Sequence, residues 1–275
     1  MSRPATYFEP RPSSFSPLLK DIPLVRQREA GVGVSQLFSR GAQMIARREQ
    51  MLIPICLNNG YYTRERVFNL LLFASRTSKQ VSVFFTDGPA KHNYLAIGKT
   101  EREARRECHR HLNRLRNHCH AALARINGDR QTNELFEVSF VDWDSIYQAR
   151  AFQREYRHLL RLYQADERFR EDVRQTTHEV LRKKVAPLEK LHLQQLSMNS
   201  VVEMAVHYSL EELAFLTTYG TCREFKAHEL ADEANEGQPK PFVYVYYQRW
   251  QVFERLVEGL YDGINRQEIG FYIID

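Results

Sequence analysis

An α/β fold, with a mainly parallel sheet covered by helices on both faces, is predicted by the order of apolar segments in this chain. Five short runs rich in Val, Ile, Phe or Tyr read as strands: Met51–Leu57, Val81–Thr86, Leu135–Val141, Phe242–Tyr247 and Phe271–Ile274. Helical periodicities fill most intervals between them, so successive strands are joined by crossovers that lay helices over the sheet. The 275 residues, 43% of them apolar, suit one large domain. Residues 1–30 hold Pro4, Pro10, Pro12, Pro17 and Pro23 and read as an extended arm, leaving residues 31–275 as a single domain.

The helices follow from periodicity and end signals. One is predicted from Val34 to Arg48. Thr63 caps a second, running to about Arg76, with Val67, Leu70, Leu71 and Ala74 on one face. A third starts at Thr100, whose spacing to Glu103 matches a capping box, and ends before Asn127-Gly128. Further helices are predicted over 145–164, 166–183 and 199–219, the last stopped by Gly220. Residues Thr221–Pro241 read as a surface loop.

No run approaches the roughly 18 apolar residues of a membrane span, and the N-terminus has no apolar signal segment, so a cytoplasmic protein with no membrane partner is expected. Cys56, Cys108, Cys119 and Cys222 form no CxxC pair, which argues against a disulfide framework or zinc ribbon. The net charge of +5 implies a polyanionic partner only where basic residues concentrate. They do so after Thr100: Arg102, Arg106, Arg110 and Arg114 recur every four residues, widened by Arg105, opposite Ala104, Cys108, Leu112, Leu115 and Cys119. Such a stripe follows several phosphates of an RNA backbone, or is an ordinary solvated face; only Glu103 and Glu107 are spaced to neutralise Arg106 and Arg110. Cys108, His109, His111, His118, Cys119 and His120 are read as core thiols and surface histidines, since one straight helix does not readily wrap four ligands around a metal.

Three segments carry candidate chemistry. Residues 51–63, MLIPICLNNGYYT, read as a strand, an Asn-Asn-Gly turn and a capped helix; ligands of open α/β sheets bind at such strand ends, and the helix N-terminus favours a Cys56 thiolate. The plain alternative is a buried strand thiol. Tyr208 and Glu212 lie four apart on one helix face, a pairing that suits a substrate ammonium or a surface carboxylate beside a core tyrosine. The segment from Val243 to Trp250 ends a strand at Tyr247 and Gln248, where a phenol can relay a proton.

Taken in order, these pieces resemble the tRNA-dependent cyclodipeptide synthases. Residues Ile55 to Thr63 are similar to that family's nucleophile segment, Tyr208 with Glu212 to its Tyr-x-x-x-Glu helix motif, and Tyr247-Gln-Arg-Trp250 to its closing strand motif, with Asp87 ending a strand and an arginine-rich helix between. Two departures stand out: Cys56 where the family usually has serine, and Gln248 where histidine is common. The resemblance implies a Rossmann-type sheet like the catalytic domain of class I aminoacyl-tRNA synthetases. It also implies a reaction of two aminoacyl-tRNAs without a cofactor; no metal and no DNA partner are expected, and the chain is expected to be a monomer. Aminoacyl esters arrive activated, and neither GxxxxGK[ST] nor GxGxxG occurs in the chain. By the same resemblance Cys56 carries the acyl group, Glu212 and Tyr208 hold the amine, Asn59 positions the acyl unit and Tyr247 relays a proton. Leu52, Pro54, Tyr61, Phe84, Val141, Phe215 and Gln248 contact substrate. Two other classes remain open on sequence alone: a non-catalytic RNA-binding protein, and a cysteine hydrolase drawing its base from His92, His207 or His228.

Overall fold

A computed structural model describes residues 34–37, 50–129, 135–185, 198–219, 242–246, 250–264 and 269–274. The chain runs β1 (Val34–Leu37), β2 (Gln50–Ile55), α1 (Arg64–Thr77), β3 (Val81–Phe85), α2 (Asp87–Ala96), α3 (Glu101–Gly128) and β4 (Ser139–Val141). It continues with α4 (Trp143–Gln148), α5 (Arg150–Ala165), α6 (Glu167–Val185), α7 (Met198–Tyr219), β5 (Phe242–Tyr246), α8 (Gln251–Glu258) and β6 (Ile269–Ile274). The N-terminal arm, the Thr221–Pro241 segment, Gly220, Cys222, His228, Tyr247 and Gln248 lie outside the described residues.

The six strands form one sheet in the order β1-β6-β5-β2-β3-β4. All neighbours are parallel except β1, which pairs antiparallel with β6. Every residue of β2 and β3 is buried, which suits their continuous apolar runs to strands covered on both sides. From β2 the chain moves outward to β3 and β4, then returns to place β5 and β6 on the other flank of β2. The reversal leaves a topological switch point between the carboxyl ends of β2 and β5, where open α/β sheets bind ligands. Helix α1 packs on α3, while α5 and α6 pack on α7; α2 touches both α3 and α7.

Both predicted N-caps operate, but α3 runs through Asn127 and Gly128 to a cap at Asp129 and does not end before them. Thr63 Oγ1 accepts from Arg66 N at 3.2 Å, and Thr100 with Glu103 forms the reciprocal capping box. Other expectations need correction. Val34–Leu37 begins a strand, not a helix, because its backbone groups pair with β6 at the far end of the chain, a partner invisible to local periodicity. The helix predicted over 145–164 is two helices, broken where Ala149 adopts extended backbone (φ −67°, ψ 122°). Helices α2 and α8 were not predicted at all. Gly88-Pro89 reads as a breaker, yet both residues sit in the first turn of α2, where amide hydrogens have no intrahelical acceptor and proline costs nothing. Helix α8 ends at Gly259 in left-handed conformation, φ 70°.

Gly88 is required sterically. A β-carbon there meets Tyr147 Oη at 2.7 Å and the buried Trp143 ring at 2.8 Å, while Trp143 is anchored by its indole N–H to Phe85 O. Gly88→Ala should therefore destabilise the fold by about 1–3 kcal/mol through overpacking, read as a shift in the urea unfolding midpoint; an unchanged midpoint would show that the α2–α4 contact yields freely.

Candidate active site

The turn after β2 is built by its own side chains. Asn58 takes the left-handed conformation (φ 52°), which asparagine tolerates better than most residues. Asn59 Oδ1 accepts from Tyr61 N at 2.9 Å, and Tyr62 Oη donates to Pro54 O at 2.8 Å, tying the exit of the turn back to the strand. Cys56, one residue beyond β2, is only 5% exposed. Thr86, at the end of β3, clamps this turn from the neighbouring strand: its N–H donates to Ile55 O at 3.2 Å and its hydroxyl accepts from Leu57 N at 3.3 Å.

Helix α7 brings the second set of groups. Tyr208 Oη donates to Cys56 Sγ at 3.5 Å. One turn on, Glu212 Oε1 accepts from Tyr244 Oη at 2.6 Å. Tyr244 lies on β5 directly beside Leu52 of β2, so the ends of β2, β3 and β5 converge with α7 at the switch point. Burial, then the neighbouring Cys56 and Glu212, hold the Tyr208 phenol well above its ordinary pKa; burial and Glu212 do the same to Tyr244. Both hydroxyls therefore stay protonated and act as donors.

The structure thus brings together Cys56, Tyr208 and Glu212 among the predicted catalytic residues, with Asn59 in the adjoining turn. Glu212 is 1% exposed, which removes the alternative of a surface carboxylate. Leu52, Pro54, Phe84, Val141 and Phe215 are all buried; the Phe84 and Phe215 rings lie 4.7 Å apart, with Tyr244 6.2 Å from Phe84. Tyr61 is half-buried beneath the Arg66 guanidinium. Tyr244 and Thr86 are missed by the sequence reading. Alternation along the strand places Tyr244 on the face shared with Phe242, but aromatic strand residues usually signify core. Of the histidines considered as a base, His92 bonds Glu211 at 2.8 Å and His207 bonds Tyr156 at 2.6 Å.

On α3, Arg102, Arg105, Arg106, Arg110 and Arg114 are all exposed. Arg110 pairs with Glu107 at 2.7 Å and Arg105 with Glu101 at 2.9 Å. Glu103 is engaged by the capping box at Thr100 and does not pair with Arg106, because the helix end claims its carboxylate. Cys108 and Cys119 are buried as expected, and burial pushes the Cys119 thiol up to about 12. His111 is also buried and corrects the surface assignment: three residues after Cys108 it shares the core face, where its ring contacts Arg110. Among the described residues no group of three His, Cys, Asp or Glu is placed to hold a metal.

Beside this site, burial raises the Asp87 carboxyl from 3.8 to about 6. The folded chain binds this proton more tightly than the unfolded chain, so the associated stability is complete below about pH 4 and is lost as pH rises through 6. Asp87→Asn should melt at a higher temperature than the wild type near neutral pH, with the advantage vanishing near pH 4. A melting difference that is the same at both pH values would dissociate Asp87 from the effect.

A family model described as cyclodipeptide synthase matches residues 33–222. No curated protein sequence matches the chain. Among solved structures, a cyclodipeptide synthase from Bacillus thermoamylovorans superposes with a TM-score of 0.68 at 17% identity, covering 94% of this chain and 98% of its own. A cyclodipeptide synthase from Staphylococcus haemolyticus gives 0.66 at 13% identity, covering 88% and 98%. A Mycobacterium tuberculosis protein gives 0.61 at 16% identity, covering 87% and 91%; its structure is described as demonstrating that cyclodipeptide synthetases are related to type I tRNA synthetases. At these identities the shared feature is the fold, which agrees with the Rossmann-like strand order, and the match over residues 33–222 carries the assignment: the chain belongs to the cyclodipeptide synthase family.

Proposed function

We propose that this chain joins the aminoacyl groups of two aminoacyl-tRNAs into a cyclic dipeptide, with Cys56 as the covalent carrier. The observation that supports this most is the Cys56 thiol held by Tyr208 at a strand end, with the Glu212 carboxylate one turn away on the same helix. In the first step the thiol sulfur attacks the ester carbonyl of an aminoacyl-tRNA. A C–S bond forms, the ester C–O bond breaks, and the tRNA 3′ oxygen leaves with the thiol proton. The resulting thioester remains activated toward an amine. The amine of the bound residue then attacks the ester of the second aminoacyl-tRNA, releasing that tRNA and leaving a dipeptide on sulfur. The new terminal amine closes on the thioester, and the thiol is regenerated as the ring is expelled.

Each group near Cys56 has a task in this sequence. Glu212 is the counter-ion for the substrate ammonium, its carboxylate buried one turn along α7 from Tyr208. Tyr244 orients that carboxylate by donating to it, and Tyr208 directs its hydroxyl at sulfur. Asn59 and the backbone of its turn position the acyl unit near the oxyanion. Tyr247 remains the proposed proton relay and Gln248 its neighbour at the substrate. Leu52, Pro54, Phe84, Val141 and Phe215 form the apolar environment for an uncharged first side chain. The tRNA backbone is read by the exposed Arg102, Arg105, Arg106, Arg110 and Arg114 on α3. The enzyme works as a cytoplasmic monomer.

Expression in bacteria followed by mass spectrometry of the medium should reveal cyclic dipeptides. Cys56→Ala should abolish them and Cys56→Ser should retain a fraction; soluble wild-type protein that yields none, or a fully active Cys56→Ala, would sink the proposal. Tyr244→Phe keeps the ring packing but removes the bond to Glu212. Losing a bond to a charged acceptor costs about 1.5–3 kcal/mol, so product formation should fall about tenfold to a hundredfold without loss of fold. A wild-type rate would exclude Tyr244 from the mechanism.

A further inference from the structure

The α3 stripe is matched by a second arginine face. On α5, Arg150, Arg154, Arg157 and Arg161 are all exposed. At 3.6 residues per turn they fall within a sector of about 60°, and Phe152, Leu159 and Tyr163 lie roughly opposite. Those three are buried where α5 packs on α7. The outward face is completed by Gln153 and Gln164, both exposed and uncharged. Glu155 is the one carboxylate in α5; it is half-buried on the inward side, with an Oε1 atom that makes no hydrogen bond among the described residues. None of the four arginines forms an ion pair among the described residues, whereas α3 pairs two of its arginines with Glu101 and Glu107.

This arrangement is costly for an isolated helix. Like charges three and four residues apart repel by about 0.2–0.5 kcal/mol per pair, and here three such pairs are stacked along one line. A polyanion removes that repulsion. The stripe spans about 16 Å, the rise of about five successive nucleotides along one strand of a duplex, and guanidinium groups suit phosphate oxygens in bidentate geometry. The two stripes lie on helices with different main partners: α3 packs with α1 and α2, whereas α5 packs with α7, the helix that carries Tyr208 and Glu212.

We propose that the exposed face of α5 is a second RNA-backbone surface, separate from α3, that engages tRNA on the α7 side of the site. The inference rests on the tRNA-dependent reading above. The test uses the full chain and fluorescently labelled tRNA, with anisotropy titrations over a series of salt concentrations. Three variants are compared with the wild type: R150Q/R154Q/R157Q/R161Q, the same four positions as lysine, and R102Q/R106Q/R114Q on α3. The glutamine variant of α5 should bind about tenfold more weakly at low salt, and the slope of log K against log salt should shrink by about 2–4, from 0.7–0.9 per lost phosphate contact. The lysine variant should keep the wild-type slope. Unchanged affinity and slope in the α5 glutamine variant, with losses in the α3 variant, would overturn this inference and leave the tRNA reading standing. An equal loss in the lysine and glutamine variants would overturn it as damage to the fold. So would loss of binding to anionic lipid vesicles with tRNA binding intact. A wild-type protein that binds no tRNA even at low salt would remove the tRNA reading itself.

Discussion

A helix buried on almost every side must find partners for its polar groups inside the protein, and α7 is such a helix. From Ser209 to Tyr219 every residue is buried, yet the segment includes two carboxylates and several hydroxyls. Their satisfaction draws in the surrounding elements. Tyr208 reaches Cys56 after β2, Glu212 accepts from Tyr244 on β5, and Ser209 bonds Thr177 on α6. Tyr219 accepts from Gln50 at the start of β2, while Thr217 and Thr218 return their hydroxyls to carbonyls of the preceding turn. A buried polar group without a partner costs about 1–3 kcal/mol, so these bonds also fix the height and rotation of α7 over the sheet. The site geometry is a by-product of that fixation.

The adjacent carboxylates of α7 illustrate how one helix serves two environments. Successive residues differ by about 100° around a helix, so Glu211 and Glu212 face different neighbours. Glu212 points to Tyr244 beside Cys56. Glu211 is held by His92 at 2.8 Å and Tyr147 at 2.6 Å, joining α7 to α2 and α4. The first is engaged beside Cys56, and both oxygens of the second are engaged by α2 and α4. Desolvation strengthens both interactions, since charge acts over a longer range away from water.

Farther out, the charge pattern turns from pairing to display. Carboxylates on α3 are taken up by capping and by neighbouring arginines, while Arg102, Arg106 and Arg114 form no ion pair among the described residues; α5 carries no exposed carboxylate. Clustered guanidinium groups of this kind create a local positive potential.

Local chemistry was legible in the sequence because it is decided by neighbours in the chain. The β2 run, the Asn-rich turn, the Thr63 and Thr100 caps and the core face of α3 all depend on residues a few positions apart, and the spacing of Tyr208 and Glu212 gave their shared helix face. The parallel character of the sheet followed from alternating elements. Contacts across the chain were not legible, since no local pattern encodes them. Pairing with β6 made a strand of Val34–Leu37, and packing of Trp143 and Tyr147 against Gly88 accompanies a helix in a Gly-Pro segment. The sequence by itself determined the turn that presents Cys56 and the helix that carries Tyr208 and Glu212. Only the tertiary structure decided that Tyr244 and Thr86 join them, because strand order, set by burial over the whole sheet, places the ends of β3 and β5 on either side of β2.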